Sequence, residues 1–150
     1  MNIFVLDKNP KLCASYHYNV HTYKMLLEST QILSTVSVFG YKPTHKNHPC
    51  TKWCVESLSN FMWLKELGVY LNEEYKSRYN HKENHKSFEV LLSIPEPKLS
   101  DLGLTKFALA MPDEFKDSDE VLAYRKYYKY GKSHLRAYMD LKYPEWFQEI

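Results

Sequence analysis

Glycine is scarce, with four residues in 150. That is too few for a glycine-rich loop cradling phosphates, or for a sheet turned by tight hairpins. Cysteine is scarce too, and three is an odd number; no disulfide framework is expected, and a reducing compartment is. No apolar run approaches the roughly 20 residues of a membrane span. The opening MNIFVLDKNP has neither the basic lead nor the apolar length of a signal peptide. These absences predict a cytoplasmic protein without a membrane partner. Charge of one sign is also lacking: a formal net charge of +2 does not by itself announce a polyanionic partner. The sequence has no internal repeat and no low-complexity tract, which argues against solenoids and disordered arrays.

Aromatic residues are plentiful instead. Thirteen Tyr, seven Phe and three Trp make up 15% of the chain, and tyrosine suits surfaces that are half dry and half wet. Hydrophobic and charged fractions of 44% and 25% are ordinary for one soluble domain spanning residues 1–150. From about Cys13 to Phe39, Ala14, Tyr18, His21, Met25, Glu28 and Ile32 recur at helical spacing, with Gly40 as the expected stop. Pro49 suits the first turn of a second helix running to about Tyr79. DSDEVLAYRKYYKYGK, with Asp117 three residues before Glu120, opens a third. NIFVL reads as a brief strand or buried extended segment, LLSIPEPKLSDLGL as a loop with at most one short turn, and KYPEWF as an aromatic tail packing back. The expected fold is mainly α: a single compact domain of about three long helices with a short N-terminal extended segment and irregular loops.

Three constellations could carry chemistry. In HTYKMLLESTQIL, His21 and Glu28 lie two turns apart on one helix face, with Lys24 between them and Gln31 one turn beyond. An ionised glutamate on an inner face costs several kcal/mol unless paired. Glu28 is therefore a candidate acid/base assisted by Lys24 or His21; the plainer alternative is a solvated helix edge. In Tyr124–Arg136, five cations (Arg125, Lys126, Lys129, Lys132, Arg136) interleave with four tyrosines, Tyr128 among them, and with no acid. That pattern suits phosphate contacts beside aromatic surface, and about five phosphates would give a log–log salt slope near −4 to −5. The alternative is an exposed basic face balanced elsewhere. In HKNHPCTKWC, His45, His48, Cys50 and Cys54 are zinc-ligand types, but their spacing fits no closed zinc motif. Core cysteines and a loop or base-contacting His48 are preferred, and no metal is expected. His17 and His21 lack a third ligand.

Taken in order, these pieces resemble the small phage-type pyrimidine-dimer DNA glycosylases, called endonuclease V in the older naming. That family has a histidine in its first long helix and a glutamate seven residues later, as His21 and Glu28 stand here. It has stretches similar to LNEEYKSRY, to MPDEFK (Met111–Lys116) and, near the C-terminus, to KYYKYGK (Lys126–Lys132). The resemblance implies that an N-terminal amine attacks C1′ of the damaged nucleotide, that the glutamate supports the proton transfers, and that an imine and then strand β-elimination follow. It implies duplex DNA as partner, bent and with a nucleotide extruded, and no metal or organic cofactor. Two departures bear on this. The residue after Met1 is Asn2 rather than a small one, so that removal of Met1 is less certain and Lys24 is a rival nucleophile. The arginines flanking the family's glutamate are replaced by Leu27 and Gln31.

The reading that results is a DNA glycosylase with possible lyase activity. Glu28, Lys24, Met1, Asn2 and His21 are its catalytic candidates. Arg125, Lys126, Tyr128, Lys129, Lys132, Arg136, His48 and Trp53 are its nucleic-acid contacts. Two other classes stay open. A non-catalytic nucleic-acid or nucleotide-binding protein would survive loss of Glu28. A pyrimidine-modification enzyme, with His45, His48 and Trp53 lining a base pocket, would need a small co-substrate.

Overall fold

The computed structural model describes residues 1–139 and 142–150. Asn9 caps the first helix by accepting from the Lys11 and Leu12 amides, and Pro10 opens it: α1, Pro10–Ser15. There follow α2 (Asn19–Ser37), α3 (Pro49–Val55), α4 (Leu58–Arg78), α5 (Lys86–Ser93) and α6 (Glu120–Lys126). A π-turn over Tyr127–Gly131 continues α6, and short 3-10 turns lie at Asp113–Phe115, Ser133–Leu135 and Glu145–Gln148. The architecture is mainly α, with no strand among the described residues. No described helix is long and apolar enough to cross a membrane.

Each long helical stretch expected from the periodicity is interrupted, and in the first two the interruption is tied to residues distant in the chain. The first breaks at residues 16–18. Arg78, its side chain 6% exposed, donates to the Ser15 carbonyl at 2.9 Å and to the His17 carbonyl. Those carbonyls would otherwise be orphaned at the end of α1. The second breaks at Ser57, whose backbone is extended (φ −157°, ψ 144°). Its buried hydroxyl donates to Asp101 and accepts the Leu102 amide, while the Leu58 amide bonds the Ser100 carbonyl. The third is short: α6 starts at Glu120, capped by Asp119 on the Leu122 amide, and gives way to the π-turn after seven residues. Part of LLSIPEPK belongs to a helix, since Lys86–Ser93 forms α5. Gly40 is not the stop; α2 ends at Ser37, with Val38 left-handed (φ 54°).

The core lies between α2 and α4, with α1, α3 and α5 packed around that pair. From α2 come Met25, Leu26, Ile32 and Leu33; from α4, Phe61, Leu64, Leu67 and Leu71. α2 also buries Thr30, Ser34 and Thr35, whose hydroxyls bond the carbonyls four residues back, so these three polar side chains enter the interior with their bonds met; the buried Ser29 hydroxyl has no partner among the described residues. Gly68 lets α5 close onto α4: a Cβ there would stand 2.6 Å from the Leu91 Cδ1. Two buried asparagines anchor the irregular connections. Asn60 holds Thr105 and the Trp53 carbonyl, and Asn72 accepts the His85 amide. NIFVL is buried and forms no strand among the described residues, Ile3 to Leu6 being at most 3% exposed; it is not extended throughout, because Phe4 has a positive φ of 37°. The aromatic tail packs back as expected, Trp146 meeting Tyr16 edge-on at 6.0 Å.

Candidate active site

The N-terminal segment runs beneath α2, and Asn2 pins it. Its side-chain oxygen accepts the Ile3 and Phe4 amides at 2.7 and 2.9 Å, and its amide donates to the Ala110 carbonyl at 2.7 Å. This clamp sets the first two backbone nitrogens against one carboxylate oxygen. The Met1 ammonium lies 3.2 Å from Glu28 Oε1, and the Asn2 amide donates to the same atom at 3.0 Å. The Glu28 side chain is only 15% exposed, so the ammonium compensates a carboxylate that would be costly alone. Glu28, Lys24 and His21 of α2 line a cavity of about 280 Å³, close to the roughly 300 Å³ at which ligand clefts begin. Phe4, Tyr127 and Lys132 form part of its opposite wall.

His21 is locked in place. Its ring stacks on Phe4 with centroids 4.9 Å apart, and its Nδ1 lies 2.7 Å from the Tyr128 hydroxyl. That hydroxyl already accepts the Tyr18 amide at 2.6 Å; its own hydrogen is then directed to His21 Nδ1, leaving the proton of the neutral ring on Nε2. Burial first, then the nearby positive groups including Lys132 and Lys24, push the His21 pKa down to about 3. His21 is a neutral, oriented imidazole and not a cation for phosphate. His17 is wholly buried, bonded to the Cys13 carbonyl, and pushed down by burial to about 4. Gly131 shapes the opposite wall: a Cβ would meet the Tyr127 ring at 2.6 Å. Lys132 lies over that ring, 5.3 Å from its centroid.

The basic stretch is arranged differently from the sequence-based expectation. Tyr128 is fully buried and Trp53 is 1% exposed; both are core residues, out of reach of DNA. Arg125 donates to the Leu6 carbonyl at 2.8 Å, pairs with Asp7 at 3.2 Å, and lies over the Trp146 ring. Lys126 pairs with Asp117, and Lys129 donates to the Phe147 and Ile150 carbonyls. Arg136 donates to the Lys129 carbonyl at 2.7 Å. Of the five cations only Lys132 lines the cavity and has neither an acid nor a carbonyl partner among the described residues.

His48 approaches the site from the N-cap of α3. Its Nδ1 accepts the Cys50 amide at 3.1 Å, and its pKa is lowered by partial burial and then by the nearby Met1 ammonium. Cys50 and Cys54 are core residues whose thiols burial pushes up, to about 12 for Cys50. Among the described residues no three His, Cys, Asp or Glu side chains cluster as metal ligands. Phe4, Tyr127 and Leu135 line the cavity without having been singled out in the sequence. The apolar run NIFVL marks Phe4 as buried but does not say that its ring backs a histidine.

No curated protein and no solved structure gives a significant match. The family model for pyrimidine dimer DNA glycosylase, however, matches residues 1–87, which contain Met1, Asn2, His21, Lys24, Glu28 and His48. A match over more than half of the chain, covering the helix that carries the carboxylate and the segment that carries the amine, places this protein in the pyrimidine dimer DNA glycosylase family.

Proposed function

We propose that the protein excises a damaged or modified pyrimidine from duplex DNA through an amine nucleophile assisted by Glu28, and then nicks the strand. One observation carries this reading: the Met1 amine and the Asn2 amide converge on one Glu28 oxygen at the wall of a cavity. A neutral amine is the nucleophile the reaction needs, and an adjacent carboxylate is the group to receive the proton it sheds. The nitrogen bonds to C1′ as the bond from C1′ to the pyrimidine breaks. The base leaves with that electron pair, and the proton lost by the amine passes by way of Glu28 to the departing base. The nitrogen lone pair then opens the C1′–O4′ bond, O4′ keeping that electron pair and taking a proton from water, which gives a protonated imine. Removal of a C2′ proton expels the 3′ phosphate with the C3′–O electron pair, and hydrolysis of the remaining imine restores the amine. Ionised Glu28 also stabilises the positive charge that develops on the sugar.

Met1 need not be retained for this geometry. Were it removed, the new amine on Asn2 would occupy a nitrogen already 3.0 Å from Glu28 Oε1. Lys24, exposed and on the same cavity wall, is the competing amine. His21 orients the sugar or base through its neutral ring, and the extruded nucleotide enters between α2 and Tyr127.

The test is borohydride trapping on duplexes carrying an abasic site or a cyclobutane dimer, with Glu28→Gln alongside. A covalent protein–DNA band is expected on both duplexes, and loss of the carboxylate should lower its rate of formation on the dimer duplex about 10²-fold or more. Mass spectrometry of the adduct then distinguishes the N-terminus from Lys24. No band on either duplex, with DNA binding intact, would sink the imine mechanism.

A further inference from the structure

Because most cations of the 125–136 stretch are held internally, a DNA strand must find its positive surface elsewhere. Between Lys8 and Val55 the chain carries six lysines and a single acid, Glu28. These 48 residues build α1, α2 and α3, and the acids at either end of the run are engaged, Asp7 by Arg125 and Glu56 by the Thr105 hydroxyl. Farther along α2 from the cavity lies a second recess of about 220 Å³, lined by Thr35, Lys46, Thr51 and Lys52 with Val36 and Val55. Thr35 is seven residues past Glu28, hence on the same face and about 10 Å along the helix, or about three base steps of a duplex.

The recess is a fixed feature of the fold. The Thr35 hydroxyl accepts the Thr44 amide at 3.0 Å, drawing the loop that carries Lys46 onto α2. Lys46 and Lys52 are exposed, and neither has an ion-pair or hydrogen-bond partner among the described residues. Thr51 is 5% exposed, and its hydroxyl, like that of Ser29, has no hydrogen-bond partner among the described residues. An unmet buried hydroxyl costs about 1–3 kcal/mol; a small shift of the side chains over Thr51 would let an acceptor in the recess satisfy it.

We infer that this recess seats a backbone phosphate of the strand whose extruded nucleotide occupies the cavity, Lys46 and Lys52 supplying charge and Thr51 a hydrogen bond. Lys24 and Lys132 hold the strand on the other side of the cavity. The inference rests on the glycosylase reading, and it moves the DNA interface from the α6 region to the α2–α3 face. Two lysines flanking a hydroxyl suit a phosphodiester, which presents charge and acceptors together.

The probes are a short duplex with a central tetrahydrofuran abasic analogue and the same duplex unmodified, followed by fluorescence anisotropy across a salt series. The double variant Lys46→Ala/Lys52→Ala is expected to bind both duplexes about tenfold more weakly or worse. Its log–log salt slope should be shallower by about 2. Thr51→Val should weaken binding several-fold while thermal stability stays level or rises, a combination that a merely structural hydroxyl would not give. Lys126→Ala, which removes a partner of Asp117, should leave affinity and slope unchanged. Wild-type affinity and slope in the double variant, or an equal loss in Lys126→Ala, would overturn the proposal. A double variant that binds unchanged beside a wild-type protein that traps on abasic DNA overturns the phosphate seat alone. Binding that depends on Lys46 and Lys52 without any trapping overturns the imine chemistry alone.

Discussion

The molecule has two basic stretches of similar appearance, and they are used in opposite ways. Between Tyr124 and Arg136 five cations stand among four tyrosines; between Lys42 and Lys52 three lysines stand among two histidines. The first, Lys132 excepted, is engaged with the protein itself. Arg125 spans 118 positions to reach Asp7, Lys129 holds the carbonyls of the aromatic tail, and Tyr128 stacks on Tyr18 with centroids 4.0 Å apart. The second turns outward, with Lys46 and Lys52 lacking partners among the described residues, in a run from Lys8 to Val55 whose one acid is Glu28. A run of charge along a sequence counts the cations present. What decides their use is whether the fold brings carbonyls and carboxylates to them, and a helix packed against the N-terminal segment and the C-terminal tail does so.

Acid titration should expose the inward-turned region most strongly. His17 and His21 pack behind Tyr128, with pKa values lowered from 6.5 to about 4 and about 3. Between those values and 6.5 the unfolded chain binds protons that the folded chain refuses, so stability rises with pH in that window. It is complete above about 6.5 and is lost as pH falls toward 4, at up to about 1.4 kcal/mol per pH unit for each imidazole. Denaturant unfolding at stepped pH would show it, and His17→Phe should remove one share of the slope. A flat profile between pH 6.5 and 4 would mean that the cluster is wetter than this packing implies. Next in size, Arg125→Ala strips a donor from the Leu6 carbonyl and the partner from Asp7, and should cost about 2–3 kcal/mol. Because Arg125 is engaged in the fold, its loss should leave the salt slope of DNA binding unchanged. A slope shallower by about 1, with little loss of stability, would return this stretch to the DNA interface.

Much of the helix content was legible because apolar residues recur at helical spacing through residues 13–39 and 49–79. The breaks were not, because their causes are distant: Arg78 caps carbonyls 61 and 63 residues back, and Asp101 holds Ser57 from 44 residues ahead. In the site, His21 and Glu28 were legible from two-turn spacing on one helix. Met1 and Asn2 followed from family resemblance alone, since no periodicity marks a chain terminus as a reagent. Asn2 stood out as a departure, and the structure gives its side chain a definite task in fixing both nitrogens against Glu28. Trp53 and Tyr128 were misplaced because an aromatic beside cations looks the same in sequence whether it faces a base or the core. The composition carries a further signal: a single carboxylate, Glu28, stands in the run from Lys8 to Val55 beside six lysines.

The smallest of these effects is the most discriminating for the tyrosines. Tyr128→Phe keeps the ring, its stacking on Tyr18 and its volume, and removes one hydroxyl that joins the Tyr18 amide to His21 Nδ1. Both groups are buried, so the variant should lose about 1–2 kcal/mol through unmet hydrogen bonds. Its DNA affinity and salt slope should match the wild type, because no part of this ring reaches solvent. The trapping rate should fall as well, since the hydroxyl is the partner that fixes the tautomer and tilt of a cavity-lining imidazole. Equilibrium unfolding, anisotropy and single-turnover trapping on the same preparation separate the three. Weakened binding with unchanged stability would make Tyr128 a nucleic-acid contact after all and erase the contrast between the two basic stretches. Lowered stability and slower trapping at constant affinity would place the residue behind the active site, holding His21 for the nucleotide that enters.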